Sequence, residues 1–262
     1  MQIDLSDKTA IVTASTKGIG LATAKGLAAA GTTVVLNGRT KESIDAAIAS
    51  LRGSGRGAVR GVVADIGTAA GCATLIEAEP VADILVNNVA YVAWGDFNEI
   101  ADEAWNQSWQ TNVMAPVKLC RHYLQGMKAA NWGRVVFVSS ESARNIQPDL
   151  VAYGATKLAT HALSRGLAKH VAGTGVTVNV VVPGPTLSDG VRRMVQPMVD
   201  QGIPAEQAGK DFVLAHRSSS VIKRMATVEE VASMIVYVCS PQASATSGAA
   251  LRVDGGVVDD VN

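Results

Sequence analysis

Cysteine is scarce in this chain: Cys72, Cys120 and Cys239 are the three in 262 residues, far apart and without metal-ligand spacing. An odd, sparse set excludes a disulfide framework and fits a reduced interior, where free thiols act as small hydrophobes. An excess of charge is also missing, since 23 basic side chains meet 23 acidic ones. That balance leaves no global footprint for nucleic acid or an anionic membrane surface, and neither is expected as a partner. Long apolar runs are absent too. The longest uncharged stretch, residues 231–251, holds Pro241 and a second half rich in Ser, Ala, Thr and Gly, which excludes a continuous membrane helix. The N-terminus carries Asp4 and Asp7 and no apolar h-region, so no signal peptide is read there and a cytoplasmic location is expected. His122, His161, His170 and His216 form no H-E-x-x-H or other metal pattern. Surface or packing roles are expected for them, and no metal.

What is present in quantity is apolar. Hydrophobic residues make up 48% of the chain and charged ones only 18%, which argues for a sizeable core and against disorder. The 25 glycines are scattered, so collagen-like and low-complexity readings fail. Apolar, largely β-branched runs at 8–13, 34–36, 59–64, Ile84–Asn87, 135–139, 176–182 and Ala250–Val253 read as strands. Helical stretches at 18–30, Lys41–Leu51, around 103–130 and 151–171 separate most of them. Strands alternating with helices imply right-handed βαβ units. The expected fold is therefore α/β, a doubly wound parallel sheet flanked by helices on both faces.

No Pro/Ser linker, charge block or internal repeat divides the chain, so residues 1–262 are expected to form a single domain. Residues 187–220 stand apart. They carry Pro197, Gly202 and Pro204, yet Leu187, Val191, Met194, Val195 and Met198 form an apolar helical stripe. Ordinary core packing accounts for it; so does a lid-like insertion over the ligand-binding ends of the strands.

The first strand runs into Thr13-Ala14-Ser15-Thr16-Lys17-Gly18-Ile19-Gly20, after which a helix starts. Such a turn aims backbone N–H groups and the positive end of a helix dipole at a pyrophosphate, and its glycines allow close approach. The end of the second strand discriminates between cofactors. A carboxylate there suits the ribose 2′-hydroxyl of NAD, and a cation suits the 2′-phosphate of NADP. The chain offers Asn37-Gly38-Arg39, with Lys17 in the glycine turn. Two solvated surface cations are the bland reading; NADP(H) preferred over NAD(H) is the expectation adopted.

Tyr153 and Lys157 lie four residues apart on one helical stretch, and Ser140 precedes Tyr153 by thirteen residues at a strand end. Spacing of four puts the phenol and the ammonium on one face. A phenol with its ordinary pKa of about 10 exchanges protons poorly at neutral pH, and a nearby ammonium is expected to lower that value. Ser140 is placed to donate a hydrogen bond where negative charge develops on a carbonyl oxygen.

Together the T-A-S-T-K-G-I-G turn, Asp65-Ile66, Asn87-Asn88, Asn112, Ser140, Tyr153-x-x-x-Lys157 and Pro183-Gly184-Pro185-Thr186 resemble the short-chain dehydrogenase/reductase family along essentially the whole chain. The resemblance implies a single-domain, Rossmann-type fold and an NADP-dependent oxidoreductase interconverting a ketone, aldehyde or 3-oxoacyl group with an alcohol. It implies Asn112, Ser140, Tyr153 and Lys157 as the catalytic set, Asn112 holding a relay water behind Lys157. It implies cofactor contacts from Thr13, Ser15, Thr16, Lys17, Gly18, Ile19, Gly20 and Arg39, and from Asp65 and Ile66 beside the adenine. Asn88 would line the cleft, Tyr153 and Lys157 would meet the nicotinamide ribose, and Pro183, Gly184 and Thr186 would lie by the carboxamide. A homotetramer or homodimer is implied as well.

Ala14 stands where the family's first turn glycine is usual, which is tolerable if its φ stays negative. Val89-Ala90 replace the usual A-G of N-N-A-G. Tyr91, Trp94, Ile146, Leu150, Met194, Met198 and Phe212 are either an apolar substrate wall or core. Glu141 either orients Ser140, meets a polar substrate or faces solvent. Two other functions stay open: a lyase or dehalogenase on the same fold, and a non-catalytic NADP-sensing scaffold.

Overall fold

The computed structural model describes residues 2–53, 55 and 57–261, without the side chains of Arg193 and Met194. Met194's expected place in the apolar stripe thus lies outside the described residues. Seven parallel strands are found among them: β1 (Thr9–Val12), β2 (Thr33–Gly38), β3 (Val59–Val63), β4 (Ile84–Asn87), β5 (Gly133–Val138), β6 (Val176–Pro183) and β7 (Ala250–Val253). Their order is β3-β2-β1-β4-β5-β6-β7. The chain reverses direction across the sheet between β1 and β4, and crevices at such a switch point are where these sheets bind ligands.

Side-chain alternation sorts the strands into two cores. Ile11, Val35, Leu85 and Val135 face one way and pack with Leu119, Tyr123 and Leu124 of α5 (Ala115–Ala129). Val12, Val34, Ile84 and Val136 face the other, against Leu27 of α1 (Gly18–Ala29) and Ile235 of α9 (Val228–Cys239). Every residue of β4, β5 and β6 is buried, which is why these strands read as unbroken apolar runs. Each fully buried Leu or Val stabilises the fold by roughly 1.5–3 kcal/mol relative to exposure. The edge strands β3 and β7 carry exposed Arg60 and Arg252, charges that discourage further strand addition.

Two helical regions depart from the sequence expectation. The stretch around 103–130 is not one α-helix: α4 (Asp102–Trp109) passes through a π-helical turn, Gln110–Met114, into α5. Residues 187–220 fold as α7 (Asp189–Asp200), with Pro197 inside it, and α8 (Ala205–His216). This excursion packs on a small core of its own, Val195, Ala208, Val213 and Met225. The remaining helices are α2 (Lys41–Leu51), α3 (Ala69–Ala78) and α6 (Val151–His170). No helix among the described residues is long and apolar enough to cross a membrane; α9 stops at Cys239, before Pro241.

Candidate active site

The glycine turn is held from behind by side chains rather than by its own backbone alone. Ser15 Oγ donates to the Val12 carbonyl at 2.7 Å and accepts from the Asn37 N–H at 3.0 Å. Thr13 Oγ1 accepts from the N–H groups of Asn88 and Val89, and the Asn88 amide donates to the Thr13 and Ala14 carbonyls. Thr13 and Ser15 are fully buried, so their side chains brace the turn. Asn37 also joins strand ends: its Oδ1 accepts from the Ala14 N–H at 3.1 Å, and its Nδ2 donates to the Val62 and Ala64 carbonyls.

Gly20 has no room for a side chain, since a Cβ there would stand 2.6 Å from Asn88 Nδ2 and 2.7 Å from the Ala14 carbonyl oxygen. Ile19 packs on the α1–α9 side of the sheet. Lys17 precedes α1 and gives it no side-chain cap. Instead, the Gly18 N–H donates to Asp189 Oδ2, at the start of α7, at 2.9 Å. A helix N-terminus favours negative charge, and here a carboxylate from the excursion supplies it. Lys17 and Arg39 are exposed on turns that touch through Thr16, whose methyl lies against Gly38. Neither cation pairs with an acid among the described residues. Asp65 is exposed and accepts from the Gly67 N–H, while the Ile66 side chain belongs to the core.

At the other side of the switch point, β5 delivers Ser140 and the first turns of α6 deliver Tyr153 and Lys157. The Ser140 hydroxyl lies beside the Tyr153 phenol and accepts from the Ser142 N–H at 3.1 Å. Lys157 Nζ donates to the Val138 carbonyl at 2.7 Å and lies 5.5 Å from the centre of the Tyr153 ring. Burial pushes the phenol up to about 12; the neighbouring Ser140 hydroxyl opposes this and the Glu141 charge adds to it. Burial pushes Lys157 down to about 8. The expected lowering of the phenol by the ammonium is therefore corrected: the ammonium is turned to Val138, and desolvation outweighs it.

Asn112 sits in the π-turn. Its Oδ1 accepts from the Tyr91 N–H at 2.7 Å, and its Nδ2 donates to the Tyr91 carbonyl at 2.8 Å and to Thr156 Oγ1 at 2.9 Å. These bonds tie the loop after β4 to α6 and engage the Asn112 side-chain amide with protein. Pro183 ends β6, a Cβ on Gly184 would strike the backbone of Asp254, and Thr186 Oγ1 donates to the Gly184 carbonyl. All three route the chain from β6 into the excursion.

The family model for short chain dehydrogenases matches residues 8–198. The chain belongs to the short-chain dehydrogenase/reductase family. It is 40% identical to the uncharacterized oxidoreductase YvaG of Bacillus subtilis, with both chains covered completely. It is 34% identical to the D-beta-hydroxybutyrate dehydrogenase of Cupriavidus necator, over 97% of this chain and 99% of that one. The solved L-sorbose reductase of Gluconobacter frateurii, complexed with NADPH and L-sorbose, superposes with a TM-score of 0.92 at 32% identity, covering all of both chains. The protein is thus an oxidoreductase of the short-chain dehydrogenase/reductase family.

Within that family frame, several expectations change. Ala14 has φ +50°, so the condition of a negative φ under which an alanine is tolerable there is not met. Glu141 does not face solvent: it is 3% exposed, and Oε1 accepts from Arg217 Nε at 2.8 Å. His161 is half-buried and shares a 2.9 Å hydrogen bond with Ser139 Oγ. Burial, with the charges of Arg144 and Lys157, pushes it down to about 4, so it is neutral. Tyr91, Trp94 and Ile146 are exposed, as a substrate wall would be, whereas Met198 and Phe212 pack on the excursion's own core. Asp189 and Arg217 were missed altogether. A Ser-Asp pair at a helix start was a readable sign for the first; nothing local marked the second.

Proposed function

We propose that the protein is an NADP(H)-dependent reductase of a ketone, aldehyde or 3-oxoacyl group, running in reverse as an alcohol dehydrogenase, with Tyr153 as general acid/base. The observation that carries this reading is the convergence of Ser140, just past the end of β5, with Tyr153 and Lys157, one helical turn apart on α6 with the ammonium 5.5 Å from the phenol ring centre. A phenol at about 12 is protonated at neutral pH, as a proton donor to a reduced carbonyl must be. Ser140 adds a second donor to the same oxygen. Lys157, buried and on the same face of α6, holds a positive charge behind both.

The residues fit a dinucleotide. Gly18 already holds a carboxylate on its N–H, so the turn accepts an anion. Gly18, Ile19 and Gly20 would meet the pyrophosphate, and Lys17 and Arg39 would meet the 2′-phosphate. Bound there, the cofactor supplies the hydride. The NADPH named for the L-sorbose reductase structure supports this choice. The retained turn and Lys157 speak against a lyase or a scaffold. The two helices of residues 187–220 are read as a lid over the substrate.

A panel of carbonyl compounds monitored by NADPH oxidation tests the reading. Turnover is expected with at least one compound, and Tyr153→Phe should lower kcat by roughly 10²–10⁴-fold while NADPH binding stays within about twofold. An active Tyr153→Phe enzyme refutes the mechanism. Arg39→Ala should weaken NADPH by roughly tenfold or more and NADH by less than about threefold. Equal losses would sink the claim that Arg39 reads the 2′-phosphate.

A further inference from the structure

We propose that Glu141 and Arg217 form a latch through which the α7–α8 excursion sets the charge beside Tyr153, which makes both of them positioning residues. The inference rests on the reading of Tyr153 as acid/base and adds control of that step by the excursion.

Glu141 follows Ser140 directly and opens a short 3-10 turn whose N-cap is the Ser140 side chain. Arg217 follows α8 directly, 76 residues away in sequence. Their side chains are 10% exposed for Arg217 and 5% for Glu141, so the pair is nearly dry. The second carboxylate oxygen of Glu141 accepts from Ser142 Oγ at 3.3 Å. Buried ion pairs seldom improve stability over apolar packing, because desolvation of both charges offsets their attraction. A role in holding one arrangement explains the pair better.

The excursion is built to act as a unit. Its apolar residues pack on each other and on Met225, in a cluster separate from both sheet cores. Polar contacts fasten it to the body: Asp189 to the glycine turn, Arg217 to Glu141, and Ser219 Oγ to the Val257 carbonyl at 2.6 Å. Three charged or titratable groups bear on Glu141. Arg217 comes from the excursion, and Asp254 from the loop after β7, its carboxylate held by the N–H groups of Gly256 and Val258. Tyr153 comes from α6, with Lys157 Nζ 5.5 Å from its ring centre. With Arg217 seated, the Glu141 charge is neutralised. With Arg217 withdrawn, Glu141 and Asp254 are two carboxylates without a guanidinium, and a phenolate beside them is disfavoured. Tyr153 therefore gives up its proton more readily under a closed excursion than under an open one.

The test is the pH profile of alcohol oxidation, in which Tyr153 must accept a proton, for wild type, E141Q, R217M and the double variant. E141Q leaves an unpaired cation, and its ascending limb should move down by about half to one pH unit; R217M leaves an unpaired carboxylate, and its limb should move up by a similar amount. The double variant should lie near wild type. Hydrogen exchange of the α8 amides should speed up roughly tenfold in both single variants, a readout that needs no substrate. Shifts of the same sign, or unmoved limbs with unchanged exchange, overturn the latch and leave a packed pair. Should R217M fail to fold, R217K keeps the charge and loses the forked reach. A wild-type limb with a raised KM is then expected, and no change in either overturns the proposal. An active Y153F enzyme would overturn the acid/base reading instead. An inactive one with unmoved limbs at 141 and 217 overturns the latch alone.

Discussion

Ala14 is held at φ +50°, backbone that favours glycine, by hydrogen bonds from its N–H to Asn37 and to its carbonyl from Asn88. For a residue with a Cβ this conformation costs about 1–2 kcal/mol. Glycine would avoid that cost but brings more freedom to the unfolded chain, about 0.5–1 kcal/mol in the opposite direction. Ala14→Gly is therefore expected to stabilise the protein by about 0.5–1 kcal/mol, a rise in Tm of roughly 1–3 °C in thermal melts. A fall in Tm of that size would refute the strain. The sign of φ was not legible in the sequence, because it depends on where Asn37 and Asn88 stand in space. The Tyr153–Lys157 pair was legible, since four residues on a helix fix a shared face. The direction of its pKa values was not, because burial decides it and burial belongs to the folded chain.

Among the elements, strand periodicity carried far. The five inner strands were readable because two-sided burial leaves continuous apolar runs, and the half-exposed edge strands β3 and β7 were readable from short apolar runs bounded by turn residues. The π-turn at Gln110–Met114 escaped notice, since one turn of wider winding barely disturbs the helical spacing of apolar residues on either side. What singles it out is tertiary: Asn112 within it grips both backbone groups of Tyr91. The start of helix α9 has a local signature, the capping box that Thr227 and Glu230 form before its apolar run. The 187–220 stretch announced itself through a helical stripe and punctuating prolines, but its separate core emerged only from packing.

At the scale of the whole molecule, a balance of 23 charges of each sign hides local order. The contact that shows this best joins Gly18 to Asp189, 171 residues apart, across the mouth of the switch point. Any anion that enters the turn must first evict a carboxylate tethered to α7. Association of NADPH, followed by stopped-flow fluorescence, is therefore expected to level off with rising concentration. Asp189→Asn should restore a linear dependence and tighten binding by roughly twofold to tenfold. A linear wild-type rate, unaltered in the variant, would show that the contact yields without delay. On the proposed reading, capture at this turn is in kinetic terms an exchange of one anion for another, and its expected ceiling is set by helix departure rather than by diffusion.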